Sequence, residues 1–146
     1  MIKAMERDHL YAVTEMVLRL WTECDPDAER SNIERIFRSE SEQIFVWQNG
    51  VDVPGSFIYR ALRDWAEGIH STPVGYFEGL YVEPQYRRRI VGRSLVKAGE
   101  EWSRKKGCKE IASDAVIDNL SSQKFHRAIG FSEVSTIVCF RKSIGH

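Results

Sequence analysis

Residues 74–96 read VGYFEGLYVEPQYRRRIVGRSLV and combine a strand pattern, a basic turn and a helix pattern. Its first nine residues are rich in aromatic and β-branched side chains, which predicts a β-strand over 74–82. The apolar spacing that follows predicts a helix from about Val91 to Lys106, ended by Gly107. A strand that ends in a tight basic turn and opens a helix gathers backbone N–H groups and a positive helix dipole. The sequence therefore predicts an anion site at residues 87–92.

The turn itself carries three consecutive arginines, Arg87, Arg88 and Arg89. Arginines supply bidentate donors for phosphate, and Gly92 in the first helical turn lets a ligand approach the backbone closely. A solvated basic loop beside a helix end explains the same charges, because arginine runs are common on surfaces. Charge alone therefore leaves both interpretations open.

The remaining chain alternates helix and strand patterns. An apolar face from Leu10 to Trp21 predicts a helix with Asp8 as its N-cap. The other predicted elements are helices over 27–39 and about 121–129, strands over 2–5, 44–47, 57–62, 111–115, 131–134 and 137–141, and a polar loop over 63–72.

Composition bounds the classes of function. The 146 residues include 21 Lys and Arg against 21 Asp and Glu, so the formal net charge is zero with histidine neutral. One domain over 1–146 is expected at this length. Proteins that coat nucleic acid or anionic membranes rely on a broad basic field, so neither partner is expected.

The sequence also carries information about the location of the protein and about metal binding. No apolar run approaches the ~18 residues of a membrane span, and the N-terminus lacks the apolar run of a signal peptide. A cytoplasmic protein is expected. Cys24, Cys108 and Cys139 form no CxxC motif, so neither a disulfide framework nor a zinc site is predicted.

Residues 82–96 resemble the acyl-CoA pyrophosphate loop of the GNAT superfamily of N-acetyltransferases, whose pattern is Gln/Arg-x-x-Gly-x-Gly/Ala. Arg87 and Gly92 match the ends of that pattern. Ile90 stands where the family usually has glycine, and a β-branched residue fits there only if its φ is negative. The resemblance implies that acetyl-CoA is bound by Leu80, Tyr81, Val82, Arg87, Arg88, Arg89, Ile90, Val91, Gly92, Arg93 and Asn119.

The resemblance also implies a single-domain GNAT fold of the α/β (α+β) class. Its mixed, mostly antiparallel central sheet is flanked by helices, and a splayed central strand pair holds acyl-CoA. Residues 71–82, 112–114 and 119–131, with Leu20-Trp21 and Arg63-Asp64-Trp65, resemble the aminoglycoside 6'-N-acetyltransferases. That subfamily implies direct transfer of an acetyl group to the 6'-amine of an aminoglycoside in a ternary complex.

Glu78 is the first candidate catalytic residue. It lies inside an apolar strand, alternating with Tyr76 and Leu80, and a carboxylate in that setting must be paired or perform chemistry. The resemblance implies a general base or a binding group for the reacting amine, whereas an ion pair with a neighbouring arginine is the structural alternative. It also implies that a backbone N–H near Tyr81 or Val82 polarises the thioester.

Two further candidates lie near the C-terminus. His126 stands where many GNAT enzymes have the tyrosine that protonates the departing thiolate, and an imidazole of pKa near ~6.5 could do this. A structural histidine that bonds a carbonyl is the alternative. Asn119 is expected to contact the pantetheine arm, or to cap the following helix, or to do both.

An aminoglycoside is polycationic, so its pocket should present carboxylates and aromatic walls. The candidates are Trp21, Asp64, Trp65, Glu67, Glu78 and Asp114. Trp21 could equally belong to the core, and ordinary surface charge explains Glu67 almost as well.

Other functions remain open at this stage. The acceptor could be another small amine, such as a polyamine or an amino sugar, or the protein could be a non-catalytic acyl-CoA sensor. Nucleic-acid binding through residues 87–93 ranks last, because aromatic interleaving is missing. The subfamily resemblance implies a homodimer, for which the alternating apolar residues of 131–141 offer an interface.

Overall fold

The computed structural model describes residues 1–50, 54–87 and 90–145. The chain divides into two compact units, Met1–Ser113 and Asp114–His146. The elements are β1 (Ile2–Ala4), α1 (Leu10–Leu20), α2 (Pro26–Phe37), β2 (Glu42–Gln48), β3 (Pro54–Arg63), β4 (Val74–Val82), α3 (Val91–Lys105), β5 (Ile111–Ala112) and α4 (Leu120–Ala128). In the described part of the chain, no helix combines the length and the apolar character that a membrane span needs.

The first unit contains a five-stranded sheet in the order β1-β2-β3-β4-β5. The first three pairs are antiparallel, and β4 pairs with β5 in parallel. This arrangement confirms the predicted mixed, mostly antiparallel sheet. The parallel pair is short, since only Gly75 and Tyr76 face partners in β5.

Two helices cover one face of the sheet. Val13, Met16 and Val17 of α1 and Ile33 and Ile36 of α2 are buried in one apolar cluster. The strands contribute Ile44, Val46, Phe57 and Tyr81 to the same cluster. Burial of these side chains is the main source of stability for this layer.

Helix α3 covers the opposite face and closes over a buried charge. Arg60 of β3 is 0 % exposed, and its Nη2 donates to Oγ of Ser103 at 2.8 Å. Its guanidinium carbon lies 3.4 Å from the centre of the Phe77 ring. Nε and Nη1 of Arg60 have no hydrogen-bond partner among the described residues, and burial lowers the pKa of this side chain. Gly75 and Gly99 leave the space that the guanidinium fills.

Helix α1 begins differently from the prediction. The proposed N-cap, Asp8, lies inside a 3₁₀ turn over Arg7–His9, and α1 starts at Leu10. Glu6 and His9 instead form a capping box, in which the Glu6 N–H donates to Nδ1 of His9 at 3.0 Å. The prediction of Asp8 was wrong because the Glu6–His9 capping box satisfies the first backbone N–H groups, beginning two residues before Asp8.

The second unit contains α4 but lacks the two closing strands predicted at 131–134 and 137–141. No strand is present over residues 131–145. Apolar alternation is not sufficient for a strand, because a strand also requires a neighbour that completes the hydrogen-bond ladder. The observed β5 is shorter than the predicted strand, since it ends at Ala112 instead of residue 115.

Candidate active site

A β-bulge in β4 places Glu78. Tyr59 faces Gly79 across the β3–β4 pair, and Arg60 faces Phe77, so Glu78 has no opposite residue in β3. A bulge bends the strand and redirects a side chain, which is why bulges are frequent near active sites. The regular alternation of Glu78 with Tyr76 and Leu80 that the sequence predicted is broken here.

Glu78 forms a bidentate ion pair with Arg63, the last residue of β3. Nε and Nη2 of Arg63 donate to Oε1 at 3.0 and 2.7 Å, and Nη2 also donates to Oε2 at 2.9 Å. The guanidinium carbon of Arg63 lies 3.5 Å from the centre of the Tyr76 ring. The ion pair that sequence analysis kept as the structural alternative is therefore formed, with the Glu78 side chain still 22 % exposed.

Trp21 lies against β4 at Gly79, the residue after Glu78. A Cβ atom built on Gly79 would stand 2.7 Å from Cη2 and 2.9 Å from Cζ2 of Trp21. The indole is half-buried and packs against the core formed by α1, α2 and the sheet. Trp21 therefore belongs to the core, as the alternative held, and it also covers Gly79, the residue that follows the candidate carboxylate in β4.

A polar chain behind Glu78 escaped the sequence analysis. The Tyr59 hydroxyl donates to Glu42, which also accepts hydrogen bonds from Arg35. Bonding to Arg35 is the largest effect on the pKa of Glu42, which is lowered. Burial, followed by the bond to Glu42 and the charges of Glu42 and Glu78, raises the pKa of Tyr59. Tyr59 and Glu42 come together through the pairing of β2 with β3, and Arg35 reaches Glu42 from α2. Local sequence patterns do not indicate these contacts.

The far half of β4 presents an open edge. Beyond Tyr76 the described residues give β4 no strand partner on the side away from β3. The Glu83 N–H donates to the Gly55 carbonyl on β3 at 2.8 Å. Because neighbouring residues of an antiparallel strand direct their N–H groups to opposite sides, the N–H groups of Leu80 and Val82 face the open edge. The carbonyl of Tyr81 accepts from Oγ of Ser56 at 2.7 Å.

The N-terminus of α3 follows this edge directly. Nε of Arg87 donates to the Val82 carbonyl at 2.7 Å, which ties the basic turn to the strand. Ile90 is the N-cap of α3 with a φ of −79°, so the condition for a β-branched residue there is confirmed. Its apolar side chain cannot accept a hydrogen bond from the first-turn N–H groups. An open strand edge and an uncapped helix N-terminus suit an extended ligand with a pyrophosphate group.

The other predicted cofactor residues are distributed along this turn and helix. Val91 is buried, Gly92 is half-buried, and Arg93 is exposed. Arg88 and Arg89 lie outside the described residues.

Asp64, Trp65 and Glu67 follow Arg63 in the loop between β3 and β4. All three are exposed, and Trp65 exposes 66 % of its surface. Ala66 between them is buried with Val74, Tyr76 and Ala112, which anchors the loop to the sheet. The loop therefore presents an indole and two carboxylates to solvent from a fixed base.

Asp114, Asn119 and His126 belong to the second unit. Asp114 is exposed. Oδ1 of Asn119 accepts from the Ser122 N–H at 3.0 Å, so the predicted helix cap is confirmed. Nδ1 of His126 lies 2.6 Å from the Ser122 carbonyl oxygen, and its ring meets Phe131 edge-on at 5.3 Å. The structural alternatives for both residues are thus present, while their chemical roles stay predictions.

The sheet with its short parallel pair, the bulged strand and the strand–turn–helix edge define an acetyltransferase fold. The model of the acetyltransferase (GNAT) family matches residues 10–131, and the chain belongs to that family.

Similar proteins are aminoglycoside acetyltransferases. The chain is 35 % identical to an aminoglycoside N(6')-acetyltransferase type 1 of Serratia marcescens, over 99 % of this chain and all of that protein. It is 34 % identical to the protein of the same name from Salmonella typhimurium strain LT2, over 97 % of each. Among solved structures, AAC(6')-Iy in complex with the bisubstrate analogue CoA-S-monomethyl-acetylneamine has a TM-score of 0.95 and 32 % identity, covering 99 % of this chain and 98 % of that one.

Proposed function

We propose that this protein transfers the acetyl group of acetyl-CoA to the 6'-amine of aminoglycoside antibiotics. The proposal rests mainly on the position of Glu78, at a bulge where the open edge of β4 begins and directly before Gly79, on which the Trp21 indole packs. The names of the similar proteins support the choice of acceptor.

Acetyl-CoA supplies an activated thioester when it is bound. The open edge of β4 would hold its pantetheine arm through Leu80, Tyr81 and Val82. The first-turn N–H groups of α3 would bind its pyrophosphate, with charge from the arginines of residues 87–93. Asn119 is proposed to contact the same arm through its side-chain amide.

In the transfer step, the amine nitrogen bonds to the thioester carbonyl carbon and the carbon–sulfur bond breaks. The amine loses one proton, and the departing thiolate gains one. Glu78 binds and orients the amine through a carboxylate oxygen and takes up the proton that the amine loses. The backbone N–H of Val82, which faces the open edge, stabilises the negative charge on the carbonyl oxygen. We assign the proton for the thiolate to His126.

The acceptor pocket combines aromatic walls with carboxylates. Trp21 and Trp65 offer faces for sugar rings and ammonium groups, and Asp64 and Asp114 offer counter-charges. Glu67 adds a third carboxylate to this set.

The exposed indole of Trp65 permits a clean test. We expect Trp65→Ala to raise the KM for kanamycin about fivefold, because a stacking contact contributes about 1 kcal/mol. The KM for acetyl-CoA and the melting temperature should not change, since the side chain buries little surface. Tyr11→Ala removes another highly exposed aromatic side chain, on α1, and serves as the matched control. Equal effects of the two variants would contradict the role of Trp65.

We further propose that both units form one N-acetyltransferase domain and that the protein is a homodimer. The family match over 10–131 extends across the unit boundary, which supports a single domain. The C-terminal segment exposes apolar side chains that a partner could cover: Val134, Ile137, Val138, Phe140 and Ile144. Phe140 alone exposes 92 % of its surface.

The dimer is tested by light scattering after size-exclusion chromatography. We expect twice the chain mass of 16.9 kDa for the unmodified protein, and the monomer mass for Val138→Asp combined with Phe140→Asp. Val116→Asp changes a similarly exposed residue outside this segment and should leave the dimer intact. A monomeric unmodified protein would contradict the proposal.

Acetylation turns an ammonium group into a neutral amide, which removes a charge by which the antibiotic is bound. We therefore propose antibiotic resistance as the biological effect. The need for acetyl-CoA, a cytoplasmic metabolite, supports a cytoplasmic location.

The proposed activity is tested by following CoA thiol release with acetyl-CoA and kanamycin. Spermidine and glucosamine are assayed in parallel as acceptors of the other candidate classes. Turnover with kanamycin at a kcat/KM well above that of both other amines is the expected result. A protein that acetylates only spermidine or glucosamine would contradict the aminoglycoside assignment.

A further inference from the structure

The contact between Arg63 and Glu78 goes beyond an ordinary surface ion pair. The guanidinium makes three hydrogen bonds to the carboxylate, of 2.7 to 3.0 Å, and stacks at 3.5 Å on Tyr76. Tyr76 and Glu78 lie two residues apart on β4. Arg63 is thus fixed by two neighbours on the strand that carries the candidate carboxylate.

The pair leaves the carboxylate able to accept one more bond. A carboxylate has about four acceptor positions, two on each oxygen. Arg63 uses two on Oε1 and one on Oε2, so one position on Oε2 can accept a hydrogen bond from an amine. The Glu78 side chain is 22 % exposed, so part of it is accessible to an amine. An amine can therefore bind without displacing Arg63.

The charge balance decides which form of the amine binds. An isolated carboxylate would favour the ammonium form, which has no lone pair and cannot attack a thioester. A carboxylate already paired with a guanidinium gains less from an ammonium and still accepts a hydrogen bond from a neutral amine. Glu42 carries another negative charge near this site, but that charge is paired with Arg35. Arg63 is therefore the group that offsets the charge of Glu78. Among the described residues, Arg63 bonds Glu78, Tyr76 stacks on Arg63, and Tyr59 lies close enough for its pKa to be raised by the charge of Glu78. Trp21 packs on the neighbouring Gly79, and Tyr59 bonds Glu42 of the Arg35–Glu42 pair.

We propose that Arg63 is the positioning residue of the acceptor site: it neutralises and orients Glu78 so that the carboxylate binds the uncharged, nucleophilic amine. The inference rests on the proposed function. It adds a residue that acts through Glu78 and touches neither the cofactor nor the reacting atoms.

The test compares Arg63→Gln and Arg63→Lys with the unmodified protein, measuring kcat and KM for the amine between pH 6 and 9. Loss of the guanidinium should raise the pKa of the bound amine by roughly one unit, so kcat at pH 7 falls about tenfold. The fall should shrink towards pH 9, and KM for the amine should not rise. Arg63→Lys keeps the charge without the fork, so its pH profile should match the unmodified protein while its kcat is reduced.

Arg38→Gln is the matched control, because Arg38 forms an exposed pair with Glu34 on α2. It removes the same charge and should leave kcat, KM and the pH profile unchanged. A pH profile of Arg63→Gln that superimposes on that of the unmodified protein would overturn the proposal, whether kcat falls or not. An increase in KM at constant kcat would overturn it as well.

The comparison uses whichever of kanamycin, spermidine and glucosamine the unmodified protein acetylates. Failure of the aminoglycoside assignment is seen in the unmodified protein, as turnover of another amine alone. Failure of the Arg63 proposal is seen only between variants. If none of the three amines is acetylated while acetyl-CoA still raises the melting temperature, both proposals are wrong.

Discussion

Glu78→Gln is expected to lower kcat for aminoglycoside acetylation by about 100-fold or more. The amide keeps the size of the side chain but loses the negative charge that orients the amine and receives its proton. The stability cost should be small, since the side chain is partly exposed and its main partner, Arg63, is 42 % exposed. CoA thiol release with saturating kanamycin measures the effect.

Acetyl-CoA binding separates a chemical role from a structural one. The cofactor is assigned to the edge of β4 beyond Glu78 and to α3, so it should raise the melting temperature of Glu78→Gln as much as that of the unmodified protein. Glu101→Gln removes a carboxylate of an exposed pair with Arg104 on α3 and is the control for charge. A Glu78→Gln variant with at least half of the unmodified kcat would show that this carboxylate has no part in the step.

Gly75→Ala should lower the free energy of unfolding by about 3 kcal/mol. A Cβ atom at Gly75 would stand 2.7 Å from Cβ of Ser103 and 2.9 Å from Nη2 of Arg60. The Ser103 Cβ is fixed by helix α3, so α3 must move away from the sheet. Alanine gains up to about 1 kcal/mol from reduced freedom of the unfolded chain, which the collision exceeds. Chemical denaturation measures the change, and the melting temperature should fall by roughly 10 °C.

Gly145→Ala provides the control for this substitution. A Cβ atom at Gly145 would meet no atom within 4 Å, so stability should not change. A Gly75→Ala variant as stable as the unmodified protein would mean that α3 does not pack on β4 as closely as described.

The sequence predicts elements well where one pattern decides them. β4 has the predicted bounds of 74 and 82, and α3 begins at the predicted Val91. An apolar strand pattern and a proline-containing turn fix these bounds. Gly107 marks the end of α3, which lies at Lys105. The closing strands at 131–134 and 137–141 fail for a different reason. Alternation of apolar residues indicates which side chains favour burial. A strand also requires a neighbouring strand to pair with, and the local sequence does not identify that neighbour.

The candidate site was predicted only in part. Glu78 was found because a carboxylate in an apolar strand needs an explanation, and the basic turn was found from the helix it precedes. An arginine partner for Glu78 was considered but not identified as Arg63, and Tyr59 and Glu42 were missed, because these contacts depend on strand register. That register includes a bulge at Glu78, whose single extra residue leaves no local signature in the sequence. Arg60 reads as a surface charge, although Gly75 and Gly99 let the fold bury it.

Identification of the acetylated nitrogen is the decisive test of the proposed 6'-N-acetyltransferase activity. The purified protein is incubated with acetyl-CoA and kanamycin, and the product is analysed by mass spectrometry and NMR. We expect a single acetyl group, attached to the 6'-nitrogen. Acetylation of a different amine of kanamycin, or no kanamycin product while spermidine or glucosamine is acetylated, would contradict it.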